Sequence, residues 1–156
     1  MREHTYAKKT VGTLAALMIL VGLQVGIAYA NPPGLVEITS HNSFATTVAK
    51  MRAAVEEHGL MTLKVFNQQL MLSMVGMHSP PQMTFEVFHP KYGSQVYNTN
   101  RLGFLAVPLR ITVLQKGGAV KIAYIKPSVS LAPYGLSSLG DRLDPIVSAI
   151  VHAAAR

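Results

Sequence analysis

LRITVLQKGGAVKIAY, residues 109–124, reads as a strand, a tight turn and a second strand. Leu109, Ile111 and Val113 alternate with Arg110 and Thr112, and Val120, Ile122 and Tyr124 alternate with Lys121 and Ala123. A period of two sends successive side chains to opposite faces of a pleated strand. Lys116-Gly117-Gly118 between the two runs predicts a short hairpin turn, so the strands run antiparallel. One face is apolar and the other polar, which fits a sheet covered by helices on one side only.

Upstream, Met83, Phe85 and Val87 alternate with Thr84 and Glu86, and Met61, Leu63 and Val65 alternate with Thr62 and Lys64. Both runs predict half-buried strands. Leu35–Thr39 adds a short apolar strand. Between them lies a helix with Ser43 as N-cap, an apolar face of Phe44, Val48, Met51 and Val55, and Gly59 just past its end. Arg52 and Glu56 are spaced to pair on its outer face. Asn67 caps a short helix reaching about Gly76, whose Leu70, Met71, Met74 and Val75 form an apolar stripe expected in the core. Ser79-Pro80-Pro81 breaks the chain, and His89-Pro90-Lys91-Tyr92-Gly93 reads as a turn or loop. One helical turn is expected within Gln95–Leu102. Asp144 before Pro145 predicts a helix start, with Ile146, Val147, Ile150 and Val151 buried beyond it. The order β-α-β-α-β-loop-β-β-α predicts an α+β two-layer sandwich, a mainly antiparallel sheet with helices packed on one face. No internal repeat or second domain is evident.

The first thirty residues differ in character. Arg2, Lys8 and Lys9 precede an apolar run from Val11 to Ile27, and Ala28-Tyr29-Ala30 offers a small-x-small cleavage site. Residues 1–30 are therefore expected to be a signal peptide, 31–34 a stiff leader and 35–156 one domain in a periplasmic or secreted protein. The rival is an uncleaved membrane anchor, since the run approaches the roughly 18 residues of a spanning helix; Gln24 and the glycines weaken it. The absence of cysteine excludes disulfides, thiolate metal sites and cysteine nucleophiles. From Asn31 onward eleven Lys and Arg face six Asp and Glu, a balance of +5. Those charges are scattered singly, which suits solubility and a weak attraction to anionic lipid or polymer. Export, and the lack of aromatic residues among basic clusters, argue against nucleic acid as a partner.

Three segments together resemble the bacterial domain of unknown function 302. Ser43-Phe44 through Gly59 is similar to that family's opening helix. Val87-Phe88-His89-Pro90-Lys91-Tyr92-Gly93 is similar to a loop of the type Phe-Gly-Asn-Pro-x-x-Gly. Leu105–Val113, followed by Tyr124-Ile125-Lys126-Pro127, resembles the family's Leu-Pro-Leu-Arg strand and its Tyr-x-x-Pro ending. The resemblance covers about Val36 to Pro127 and implies a compact α/β sandwich and a homodimer, without an activity. The family commonly carries an Asp-His pair after the second strand; here Phe66-Asn67-Gln68 stands there, so no acid–base or metal role carries over. His89 also replaces a usual glycine.

Two residue sets offer chemistry. His89, Arg110 and Tyr124 would surround a small anionic ligand if the loop at His89 folded over the hairpin. Strand parity opposes this, because Arg110 and Tyr124 fall on opposite faces. Met71, Met74, Met77, His78 and Met83 supply thioethers and an imidazole, ligands suited to copper(I); the alternative is core packing. No Gly-x-Ser-x-Gly, phosphate-binding loop or zinc-ligand spacing occurs. The residues favour a non-enzymatic small-ligand or protein-binding module without a cofactor, with a periplasmic copper(I)-handling protein and an enzyme of unknown reaction as alternatives.

Overall fold

The computed structural model describes residues 30–156, and Asn31–Arg156 form one compact unit. The signal-peptide reading concerns residues that, apart from Ala30, lie outside the described ones.

The strands are β1 (Leu35–Thr39), β2 (Met61–Asn67), β3 (Gln82–Phe88), β4 (Leu109–Lys116) and β5 (Ala119–Ile125). They form one antiparallel sheet in the order β1-β5-β4-β3-β2. The hairpin keeps the register its alternation demands, with Ile111 opposite Tyr124 and Val113 opposite Ile122. Two long helices, α1 (Phe44–Glu57) and α5 (Ser137–Ala155), cover the apolar face. Met51 and Val55 from α1 and Val147 and Ile150 from α5 bury themselves against Phe85, Ile111 and Ile122. The protein is thus an α+β two-layer sandwich. Ser43 caps α1 as its sequence requires, accepting from the Thr46 N–H at 3.2 Å. Arg52 does not pair with Glu56; it stacks over the Phe85 ring, 5.5 Å from the centroid.

Shorter helices complete the order: α2 (Gln68–Ser73), α3 (Pro90–Thr99) and α4 (Pro127–Leu131), with a 3-10 turn over Arg101–Leu105. The segment expected to be a loop at His89–Gly93 is the start of α3. His89 is the N-cap, its Nδ1 accepting from the Lys91 N–H at 3.1 Å, and Pro90 occupies the first turn, where its missing N–H costs nothing.

Two local signals mislead for tertiary reasons. Asp144 does not start a helix, and Pro145 lies inside α5. The Asp144 carboxylate instead accepts from the Ser128 N–H at 2.9 Å and the Ser128 hydroxyl at 2.7 Å. It thereby caps α4, whose own N-cap residue, Lys126, supplies no side-chain bond. Asp144→Ala leaves that helix start unsatisfied and is expected to cost about 1–2 kcal/mol, read as a lower urea midpoint. Meanwhile β2 is irregular: Thr62 pairs with Val87 and Lys64 with Glu86, leaving Leu63 in a bulge. The bulge reverses the parity of the preceding residues, so Met61 and Leu63 are exposed and only Val65 of the three reaches the core.

One polar clamp joins distant ends of the fold. The Ala155 carbonyl accepts from the His41 N–H at 2.9 Å, the Asn42 amide at 3.3 Å and the Ser40 hydroxyl at 3.4 Å. The Ser40 hydroxyl is buried and also shares a 2.7 Å bond with Thr47.

Candidate functional site

The sheet presents an open polar face opposite α1 and α5. Lys64, Glu86 and Arg110 form a row across β2, β3 and β4 on that face. Two Arg110 nitrogens lie 3.1 and 3.2 Å from one Glu86 oxygen. Arg110 is largely exposed, so the pair contributes little to stability. Tyr124 belongs to the opposite, covered face and is 7% exposed. His89 is engaged in capping α3 and meets Tyr92 edge-on at 5.7 Å. The structure therefore does not bring His89, Arg110 and Tyr124 together; Arg110 borders a separate shallow cleft of ≈190 Å³ with Leu105, Pro108 and Ile125.

Burial pushes the Tyr124 phenol above its ordinary value, opposed by the Ser148 hydroxyl and reinforced by the Asp144 carboxylate. The folded state thus holds this proton more tightly than the unfolded chain, which releases it near pH 10. The contribution to stability is fully present below about pH 10 and is lost as the pH rises through the folded value. Urea unfolding from pH 8 to 11 is expected to show a steeper alkaline loss in the parent chain than in Tyr124→Phe; parallel curves contradict the assignment.

The methionine set is divided three ways. Met83 packs against the core. Met71 lies on the outer side of α2 and Met74 at its C-cap, and Met77 and His78 lie in the segment that returns from it. The stripe expected in the core is on the surface: Leu70, Met71, Met74 and Val75 are 59, 53, 79 and 74% exposed, and Met77 53%. Asn67 caps α2 by accepting from the Leu70 N–H at 3.0 Å. At the other end Gly76 adopts a left-handed φ of 80°, and its N–H donates to Ser73 while that of Met77 donates to Leu72, both at 3.0 Å. This closure reverses the chain tightly and lays Met77–Ser79 back beside the helix.

An open cleft of ≈330 Å³ lies in that reversal. Asn67, Gln69, Leu70 and Ser73 line one wall, and Met77, His78 and Ser79 the other. The Gln69 amide donates across it to the Ser79 carbonyl at 3.2 Å. Behind the cleft the Gln68 amide donates to Thr84 at 2.8 Å, and Thr84 shares a 2.9 Å bond with Thr112. The Gln68 Oε1 and Ser79 Oγ atoms are buried without a hydrogen-bond partner among the described residues. Among those residues no three His, Asp or Glu side chains come together as a metal site. Apart from Met77 and His78, no lining residue is a functional candidate in the sequence, where Asn67 reads as a cap, Leu70 as core and Ser79 as part of a chain break. One signal could have found them: no Asp, Glu, Lys or Arg lies between Lys64 and Glu86.

The fold and its surface define an open-faced α+β sandwich with a charge-free lobe at one edge. The family described as domain of unknown function DUF302 matches residues 36–154, and the chain belongs to that family. Among solved structures, an uncharacterized conserved DUF302 protein from Bacillus stearothermophilus superposes with a TM-score of 0.73 at 20% identity. That match covers 79% of this chain and 98% of the other. None of the curated proteins matches.

Proposed function

We propose that this protein is an exported, non-enzymatic binding module whose ligand site is the cleft between α2 and Met77–Ser79. The observation that carries this reading is the cleft's lining. It combines amides, hydroxyls and an imidazole with Leu70 and Met77, and holds the buried, unpartnered Ser79 hydroxyl. Amides and hydroxyls beside a small apolar surface suit a neutral polar ligand, such as an amide or a polyol. A buried hydroxyl without a partner is costly, and a ligand that donates to or accepts from it recovers that cost. Export is supported by the basic start, apolar run and small-x-small site of residues 1–30.

Amide chemical-shift mapping with a library of neutral polar fragments tests the site. Hits are expected to perturb residues 67–79, and Ser79→Ala to weaken them. Perturbations confined to the surroundings of Arg110, or none across the library, refute the assignment. Export has its own check, since amino-terminal sequencing of protein from the cell envelope is expected to begin at Asn31.

A further inference from the structure

We propose that the α2 lobe docks this domain peripherally on an anionic lipid surface. The contact uses Met71, Met74 and Val75 on the outer side of the lobe, away from the cleft that Leu70 also lines, and stands independently of any ligand bound there.

The lobe meets the physical demands of an interfacial contact. Leu70 and Met71 of α2 and Met74 and Val75 of the turn that follows it are all more than half exposed, while no residue of α2 is buried. Large apolar side chains grouped on a surface mark a place that leaves water in use. Entering the boundary between headgroups and acyl chains is opposed chiefly by charges and by unsatisfied backbone groups. The lobe has few of either. The span between Lys64 and Glu86 carries no Asp, Glu, Lys or Arg. Its first free N–H is capped by Asn67, and its last carbonyls are bonded through Gly76 and Met77. Among the described residues no helix is long and apolar enough to cross a membrane, so the contact is a shallow one.

Charge placement selects the surface. The lobe sits at the sheet end that holds the β4–β5 turn, where the Gln115 N–H donates to the Pro81 carbonyl at 2.9 Å. Lys116 and Lys121 flank that turn, and Arg156 follows Ala155, which is clamped at the same end. Lys50 reaches towards it through Asn42 at 3.4 Å. Of the six acids after Asn31, Glu37 alone lies there, paired with Lys116. Glu56 and Glu57 end α1 at the far side; Glu86 and Asp144 face Arg110 and α4, and Asp141 begins α5 beside α4. An apolar tip free of Asp, Glu, Lys and Arg, with cations at the same end of the sheet, fits an anionic bilayer, each cation strengthening partition about fivefold. A protein partner is the less fitting occupant, because the tip has no tryptophan, tyrosine or arginine to act as an anchor.

The chain has no tryptophan, so Met74→Trp places a single reporter on the tip of the full chain. With mixed phosphatidylcholine–phosphatidylglycerol vesicles its emission is expected to shift to the blue and to be quenched by lipids brominated near the headgroup. Pure phosphatidylcholine vesicles should give at least tenfold weaker binding. Adding Met71→Glu, outside the cleft lining, should abolish the quenching, and Lys116→Gln with Lys121→Gln should weaken binding more than tenfold. The reporter reads the lobe itself, so residues 1–29 do not supply the signal; Val75→Trp serves as a second reporter. Emission unchanged by either vesicle overturns the proposal and leaves a protein as the occupant. Emission already blue in solution, with sedimentation equilibrium giving a dimer, overturns it in favour of a second copy of this chain.

Discussion

Gly140→Ala is expected to destabilise the protein by about 3 kcal/mol, although alanine at an ordinary interior helix position would stabilise it by about 1 kcal/mol. Position 140 lies in the second turn of α5 where α4 crosses it. A Cβ built there meets Ser128 N at 2.6 Å and Pro127 O at 2.7 Å, and lies closer still to Ser128 Cα. All three are backbone atoms, so no side chain can rotate away and α4 must move as a unit. Moving it pulls Ser128 from the Asp144 carboxylate and uncaps the helix. Overpacking and the lost cap both oppose the propensity gain and exceed it. Thermal unfolding should register a fall of roughly 10 °C. A rise in Tm would mean that α4 shifts freely and that the crossing is not close-packed.

Phe85→Ala should cost about 3–5 kcal/mol, the range for a large buried aromatic. Phe85 is fully buried in the middle of β3, between Val65 of β2 and Ile111 of β4. Truncation opens a cavity under α1 that the flanking strands cannot fill without breaking register. Arg52 also loses the ring over which it stacks. Domains of this size commonly hold only about 5–15 kcal/mol in all, so the variant should be partly unfolded in mild urea. Phe85→Leu keeps most of the volume and should cost about 1 kcal/mol, which separates the cavity from a general intolerance of change. A loss under 1 kcal/mol for the alanine variant would show that the core collapses around the site.

Where the decisive interactions are local, the sequence is readable. The β4–β5 hairpin follows from alternation and two glycines, and α1 from its cap and apolar spacing. The failures arise where a distant partner outvotes a local signal. Asp144-Pro145 has the form of a helix start, yet Ser128, sixteen residues away, claims the carboxylate. Pro145 is tolerated within α5 because it is exposed, where the carbonyl one turn earlier can face water. The β2 bulge at Leu63 has no glycine or proline to announce it. The α2 stripe illustrates a deeper limit. Apolar residues at helical spacing look alike whether they face a core or a bilayer, because periodicity identifies a face and not what covers it. The missing charges between Lys64 and Glu86 do not separate the two, since a core segment lacks charge as well; only the exposure of the stripe in the fold does. The cleft walls at Gln69 and Ser79 depend on the turn at Gly76, which brings together residues that no short motif joins.

The clamp on Ala155 has a bearing on when the molecule can become itself. Its donors, Ser40, His41 and Asn42, belong to the first corner of the domain, and Ser40 reaches its acceptor across 115 residues of chain. Until α5 has emerged, the buried Ser40 hydroxyl lacks this acceptor and the part of the core that α5 covers stays wet. A nascent chain is therefore held back from premature compaction by its own architecture: the earliest-made corner waits for one of the latest-made carbonyls. If the chain is exported as proposed, that delay keeps it threadable for most of the time it is being synthesised.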